Sequence, residues 1–298
     1  MTTDVAIAPA APVPAPTVLR QHQWLQTLRA ALRLSRTKIG LAIVTVMVLI
    51  ALIGPLVSPH TPTEFVGAPN AGPSSQALFG TDTLGRDVFS RFLHGGLSVF
   101  GLALAATAVG VVLGVFIGLT AAYAGGAVDE VLMRTADVFL AFPQIVFALL
   151  LVSALGPKVW LIIVTVGITH APRVARVMRG AALQVVERDF VKAAEAVGEK
   201  RTRILFTELL PNVSSPLMVE IGLRLTYSIG LVAGISFLGL GLQPPHADWG
   251  LMINENRLDL TIQPWSVLLP VLAIALLTVG TNLVTDGIAR AAIGIDRE

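Results

Sequence analysis

The sequence predicts an all-α transmembrane protein of six spans, and three observations carry that prediction. Of its 298 residues 54% are apolar and 13% charged, with a mean hydropathy of +0.76; an ordinary soluble domain is about one quarter charged. Residues 39–57, 97–123 and 265–285 contain no Asp, Glu, Lys, Arg or His, and at ~1.5 Å per residue each suits a hydrocarbon core of ~30 Å. Lys and Arg gather in alternate connections, sixteen on one side against four on the other. By the positive-inside bias this places both termini in the cytoplasm.

Residues 1–18 (MTTDVAIAPAAPVPAPTV) are rich in Pro and Ala and carry no cation, so they read as a disordered tail and not as a cleaved leader. Residues 19–38 follow as a basic segment. Trp24, Leu25, Leu28, Ala31 and Leu32 fall there at helical spacing among five cations, which suits either an interfacial helix on the cytoplasmic side or a flank that orients the first span. The spans are then read at 39–57, 97–123, 138–156, 159–172, 213–242 and 265–285. The fourth reaches only ~21 Å as a straight helix, so it must borrow flanking residues, with Arg173 or Arg176 snorkelling.

Two outer connections are long. In residues 58–96, Thr81, Asp82 or Thr83 is placed to cap a short helix with Val88, Phe89, Phe92 and Leu93 on one face, expected on the outer membrane surface or against neighbouring spans. Residues 243–264 are polar and read as facing solvent or a partner. On the inner side, residues 171–212 form a basic connection of about forty residues. Helix formers dominate Asp189 to Val197, Gly198 ends that run, and a second run from Arg201 stops near Pro211, so two short helices are expected to make a cytoplasmic knob. Residues 291–298 are a cytoplasmic tail.

Within the spans, Gly110, Gly114 and Gly118 recur every fourth residue, and Gly230 and Gly234 repeat the device, which marks close helix packing. Pro143 and Gln144 interrupt the third span, where a kink is expected. Glu220 and Arg224 stand four apart on one face of the fifth. Ionisable groups at that depth are expensive, so they read as a structural ion pair or as groups touching the pathway, with Gln144 and Asn282 as further intramembrane polar groups. Asn282 and Asp286 suit interface contacts, and His170, beside Pro172, a membrane boundary.

The chain has no Cys, which excludes disulfides and thiolate chemistry. It has no glycine-rich phosphate cradle followed by Lys and Ser or Thr, no HExxH and no GxSxG. Its five histidines (His22, His60, His94, His170, His246) are too scattered to suggest a local metal site. If the protein drives uphill transport, its energy comes from an ion gradient or from a partner.

The run Lys192-Ala193-Ala194, Gly198, then Leu210-Pro211 resembles the EAA loop of ABC importer permeases, with the spacing kept to the residue. The segments FGTDTLGRDVFSR, DEVLMRTADVFLAFP, ISFLGLGLQPPHADWG and LVTDGIAR resemble the second (C-type) permease subunit of dipeptide, oligopeptide and nickel importers, over roughly residues 35–290. The resemblance implies a six-helix type I importer permease with a cytoplasmic coupling loop, its core spanning residues 97–290. It also implies that Lys192, Ala193, Ala194, Glu195, Gly198, Leu210 and Pro211 couple to the ATPase. The implied partners are a second permease subunit, two ATPase subunits, an extracytoplasmic peptide-binding protein and the bacterial inner membrane, with no nucleic acid. ATP and Mg would sit on those partners and no cofactor in this chain, which is not itself an enzyme. Peptide is the expected cargo, with nickel or another small solute the alternative. Two positions depart from the pattern: Lys192 stands where the loop begins with Glu, and Glu208 where a hydrophobic residue is usual. Glu195, one turn on from Lys192, is placed to substitute for the missing acid. An ion-gradient carrier is the rival class, but no convincing inverted repeat is present. A membrane-bound hydrolase lacks a nucleophile and base.

Overall fold

The computed structural model describes residues 23–294, with side chains from Leu25 onward. The tail 1–18, Arg20, His22, Arg297 and the Trp24 side chain lie outside the described residues. Within them the chain is helical, with two isolated antiparallel bridges, Phe65 with Arg86 and Thr81 with Asp87. A short α1 (Gln23–Ala31) precedes α2 (Ser35–Val57), α3 (Val88–Ala124), α4 (Gly126–Ala141), α5 (Gln144–Leu155) and α6 (Val159–Val186). Next come α7 (Asp189–Ala196), the single turn α8 (Arg201–Arg203), a π-helical segment Ile204–Leu209 and the turn α9 (Leu210–Asn212). Helices α10 (Ser214–Phe237), α11 (Trp249–Asn256) and α12 (Trp265–Ile293) complete the chain. Five helices, α2, α3, α6, α10 and α12, are long and apolar enough to cross a membrane, and α4 with α5, bent by 84°, is apolar enough to make a sixth if the pair is one span.

The centre of the bundle is the contact of α3 with α6. A β-carbon built at Gly110 would lie 2.7 Å from the Gly167 carbonyl oxygen, one at Gly114 2.4 Å from Val174 Cβ, and one at Gly118 2.5 Å from the Ala175 oxygen. No side chain larger than hydrogen fits there, so the two backbones meet directly. Helix α6 runs through Pro172 to Val186, which corrects the expected fourth span 159–172. Proline removes one backbone hydrogen bond, but the helix continues past it against the α3 groove, and Arg173, Arg176 and Arg179 ride on helix where a loop was expected.

Three other expectations change. The short outer helix at Val88 is the first turn of α3, not a separate surface element, and its cap is Asp87, whose carboxylate accepts from the Ser90 amide at 2.9 Å; Thr81, Asp82 and Thr83 do not cap it. The glycines at 95 and 96 leave α3 unbroken and make room for an indole: β-carbons there would lie 2.8 and 2.7 Å from atoms of Trp249. The third crossing begins at Gly126 and breaks at Pro143, where the 84° bend far exceeds a kink. The fifth ends at Phe237, not at residue 242. Helix α1 packs against α12 and α10, with Thr27 and Ala31 buried.

Outside the bundle core, the two outer connections are locked together. Arg86 donates from Nε to Asp82 at 2.7 Å and from Nη2 to Glu255 at 2.9 Å, and Arg91 Nη2 reaches the same Glu255 oxygen at 2.7 Å. The Thr83 amide donates to Asn256 Oδ1 at 3.1 Å, and Trp249 Nε1 donates to the Phe92 carbonyl while its ring stacks on Phe92. Helix α11 is thereby pinned to the N-terminal end of α3.

Candidate functional site: an inner knob and an intramembrane polar column

The connection between α6 and α10 folds as two helical runs meeting at Gly198, whose φ of +81° is the left-handed conformation that favours glycine. The Gly198 amide bonds the Glu195 carbonyl at 2.9 Å and the Glu199 amide the Ala194 carbonyl at 3.1 Å, the paired bonds of a Schellman stop. One face is core: Val191, Ile204, Leu205, Leu209 and Val213 pack with Leu119 of α3 and Val174, Met178, Ala182 and Val185 of α6. The knob is therefore an extension of the α3–α6 unit, not a detached loop.

Its other face is open. Ala193, Ala194, Val197, Glu199, Arg203, Ile204, Thr207 and Glu208 line a groove of about 260 Å3. Val197 is 82% exposed and Phe206 51% exposed, which is costly for large apolar groups in water. Lys192 is exposed and forms no ion pair among the described residues, while Glu199 pairs with Arg203 at 3.2 Å. Glu195 is exposed and interacts electrostatically with Tyr123 at the end of α3. Leu210 is half-buried and Pro211 exposed.

Glu208 at a hydrophobic position has a local reason. Over Ile204–Leu209 the turn is π-helical, with the Leu210 amide bonded to the Leu205 carbonyl, so residues five apart align. Leu209 thus falls beneath Ile204 in the core, and Glu208 turns out to the groove wall, where it accepts from Thr207 Oγ1 at 3.2 Å.

Inside the bundle, Glu220, Arg224 and Ser228 stand at four-residue spacing on α10, all buried. Arg224 Nε lies 3.1 Å from Glu220 Oε2, and the guanidinium sits 5.2 Å over the Tyr227 ring. One turn on, Ser228 Oγ lies 2.9 Å from both His170 Nε2 on α6 and Thr107 Oγ1 on α3, and Thr107 donates onward to the Ala103 carbonyl at 2.7 Å. A single donor direction, His170 to Ser228 to Thr107 to Ala103, satisfies every hydroxyl in that chain. His170 is fully buried, not at a boundary. Gln144 Nε2 donates to the Thr169 carbonyl at 2.9 Å, tying the start of α5 to α6. Asn282 and Asp286 are exposed on α12, apart from this column. Gly230 has open space where a β-carbon would go and Gly234 meets Ile145 only at 3.5 Å, so the close packing expected there is absent within this chain.

Sequence reasoning missed the outer ion cluster, because Asp82 and Glu255 are far apart in the chain and only the Asp82–Arg86 spacing is local. It also missed Asp248, fully buried beneath the second outer connection. Its carboxylate caps α11 through the Leu251 amide at 3.0 Å and accepts from Ser98 Oγ at 2.7 Å. Burial pushes its carboxyl above the usual range, and those hydrogen bonds pull it part of the way back.

Five helices long and apolar enough to cross a membrane, with the bent pair α4–α5 beside them and the α3–α6 pair continued into a knob, make the class a polytopic helical membrane protein. The chain belongs to the family of binding-protein-dependent transport system inner membrane components, whose model matches residues 110–293; residues 23–73 match the N-terminal transmembrane domain of oligopeptide transport permease C. It is 32% identical over 284 residues to the dipeptide transport system permease protein DppC of Alkalihalophilus pseudofirmus, covering 95% of this chain and 93% of that one. It is 39% identical over 222 residues to the glutathione transport system permease protein GsiD of Pectobacterium atrosepticum, covering 74% of each, and 35% identical over 271 residues to a putative peptide transport system permease protein of Brucella suis, covering 88% of each. Among solved structures, the inward-facing MetNI methionine ABC transporter matches with a TM-score of 0.51 at 15% identity, over 66% of this chain and 96% of that one, which shows the shared fold. The protein is thus a multi-pass ABC importer permease subunit and not an enzyme.

Proposed function

We propose that the chain imports peptides by alternating access, as half of a two-permease pathway whose inner knob is driven by ATPase subunits. The observation that carries this reading is the knob itself, with an exposed apolar face and a core continuous with α3 and α6. ATP closes the ATPases, and a rigid knob hands that motion to the α3–α6 pair; ATP and Mg belong to the ATPases and no cofactor to this chain. Lys192 sits at the rim of the groove, where an acid on the ATPase would meet it. A second permease subunit completes the pathway, an extracytoplasmic peptide-binding protein delivers cargo, and both termini lie in the cytoplasm of a bacterial inner membrane. The Lys and Arg distribution supports that orientation, and the named relatives favour di- and oligopeptides over nickel. The test is copurification of the tagged chain with its partners, followed by ATP-dependent uptake of labelled di- to pentapeptides and of nickel in liposomes. Uptake of peptide only with ATPase present is expected; nickel uptake alone, or transport by the isolated chain, would overturn the reading.

A further inference from the structure

Arg224 is 5% exposed, yet its Nε and Nη1 make no directed hydrogen bond; its contact with Glu220 is a charge pair whose geometry leaves Glu220 Oε2 unfilled as well. One turn away, the Ser228 and Thr107 hydroxyls are both partnered, although His170 Nδ1 is not. Buried donors without acceptors are expensive, most of all at membrane depth. Arg224 lies ten residues past the start of α10, about 15 Å along a helix about 36 Å long, hence near mid-membrane. It is not sealed off. Tyr227, over whose ring it lies, is 49% exposed, and Gly230, one turn further on that flank, faces open space. Arg173 of α6 is exposed and acts electrostatically on both Arg224 and Glu220. Two arginines against one glutamate leave the flank with an uncompensated positive charge.

The geometry points to Arg224 as a binding group for the C-terminal carboxylate of a peptide in transit, with Tyr227 beside it and Arg173 reinforcing the field. A guanidinium offers a planar fork of donors that matches a carboxylate, and that carboxylate is the one anion every linear peptide carries. This rests on the peptide-import reading above. Glu220 holds the charge of Arg224 in place between cargoes without consuming its fork.

The test uses the assembled transporter in liposomes and compares uptake of alanyl-alanine with alanyl-alanine amide, for wild type, Glu220→Gln, Arg224→Lys and the double variant Glu220→Gln/Arg224→Gln, which leaves neither charge unpaired. Any preference imposed by the binding protein is common to all four and cancels in the comparison. The preference for the free carboxylate is expected to fall by about tenfold or more in the double variant, to fall less in Arg224→Lys and to survive in Glu220→Gln. An unchanged preference in a double variant that assembles overturns the proposal. So does loss of the second permease subunit on purification with the preference intact in what remains, since Arg224 then serves the subunit interface. Absence of any peptide uptake by wild type would instead sink the peptide-import reading, and this proposal with it.

Discussion

Gly114 of α3 and Val174 of α6 are so close that a methyl group on the glycine would stand 2.4 Å from Val174 Cβ and 2.7 Å from the Ala171 carbonyl oxygen. The obstacle is backbone on one side and a branched β-carbon on the other, so no rotamer change relieves it. Gly114→Ala is expected to destabilise the purified protein by about 1–3 kcal/mol, the usual cost of overpacking, even though alanine is the better helix former. Gly230→Ala, with nothing within 4 Å, serves as the internal control and should leave the melting temperature unchanged or raise it. Equal melting temperatures for the two variants would contradict the packing described.

The knob face makes a second prediction. Val197 is largely exposed and outside the buried knob core, so Val197→Asp should leave folding within about 0.5 kcal/mol of wild type. On the proposed docking that side chain is buried, and losing ~1.5 kcal/mol of apolar burial corresponds to about tenfold weaker ATPase retention. Lys192→Glu tests the charge at the rim: retention and ATPase coupling should fall if the partner carries an acid there. Higher or unchanged coupling in Lys192→Glu would exclude that acid, and undiminished retention in Val197→Asp would remove the groove from the interface.

These residues also show how far the sequence could be read. The spans were legible because apolar runs without charge have few alternatives, and the Gly198 stop because a left-handed turn favours glycine. The knob's two helices followed from local pattern alone. The extension of α6 past Pro172 did not, since proline and three arginines mimic a helix end and only the α3 groove overrides them. Nor did the start of α3 at Val88, ahead of the expected span at 97: Gly95 and Gly96 pack against Trp249, about 150 residues away in the chain. Glu208 looked anomalous until the π turn moved it off the core face. Long-range charge pairing, as in the outer cluster, leaves no periodic trace in the sequence.

That cluster yields a third prediction. Glu255 is the shared acceptor of Arg86 and Arg91, which are 4% and 1% exposed. Glu255→Ala leaves the two buried arginines to share Asp82 as their one remaining acid, and breaking a buried pair costs about 3–5 kcal/mol. Release of α11 from the N-terminal end of α3 should follow, with faster amide exchange in Trp249–Asn256 than in the knob. Glu255→Gln keeps an acceptor and should fall between. Uniform exchange in both regions would show that the two connections are not held by this cluster.

Asp248 makes the fourth, through pH. Its folded carboxyl is raised, chiefly by burial, so the folded state takes up a proton more readily than the unfolded chain, whose Asp titrates near ~3.9. The resulting stabilisation is fully present below that value and is lost as pH rises through the raised folded value; at neutral pH the protein carries the cost of a buried carboxylate. Asp248→Asn removes the charge and keeps Oδ1 as the acceptor for the Leu251 amide. Ser98, which also donates to the Gly95 carbonyl at 3.0 Å, can accept from the new amide nitrogen. Because other carboxylates titrate in the same range, the informative quantity is the difference in melting temperature between variant and wild type, measured from pH 7.5 to 4. The variant's advantage should be largest at the neutral end and shrink steadily on acidification. A difference that stays flat across that range, or grows as pH falls, would mean that Asp248 is charged at no cost in the folded protein and that burial does not govern its ionisation.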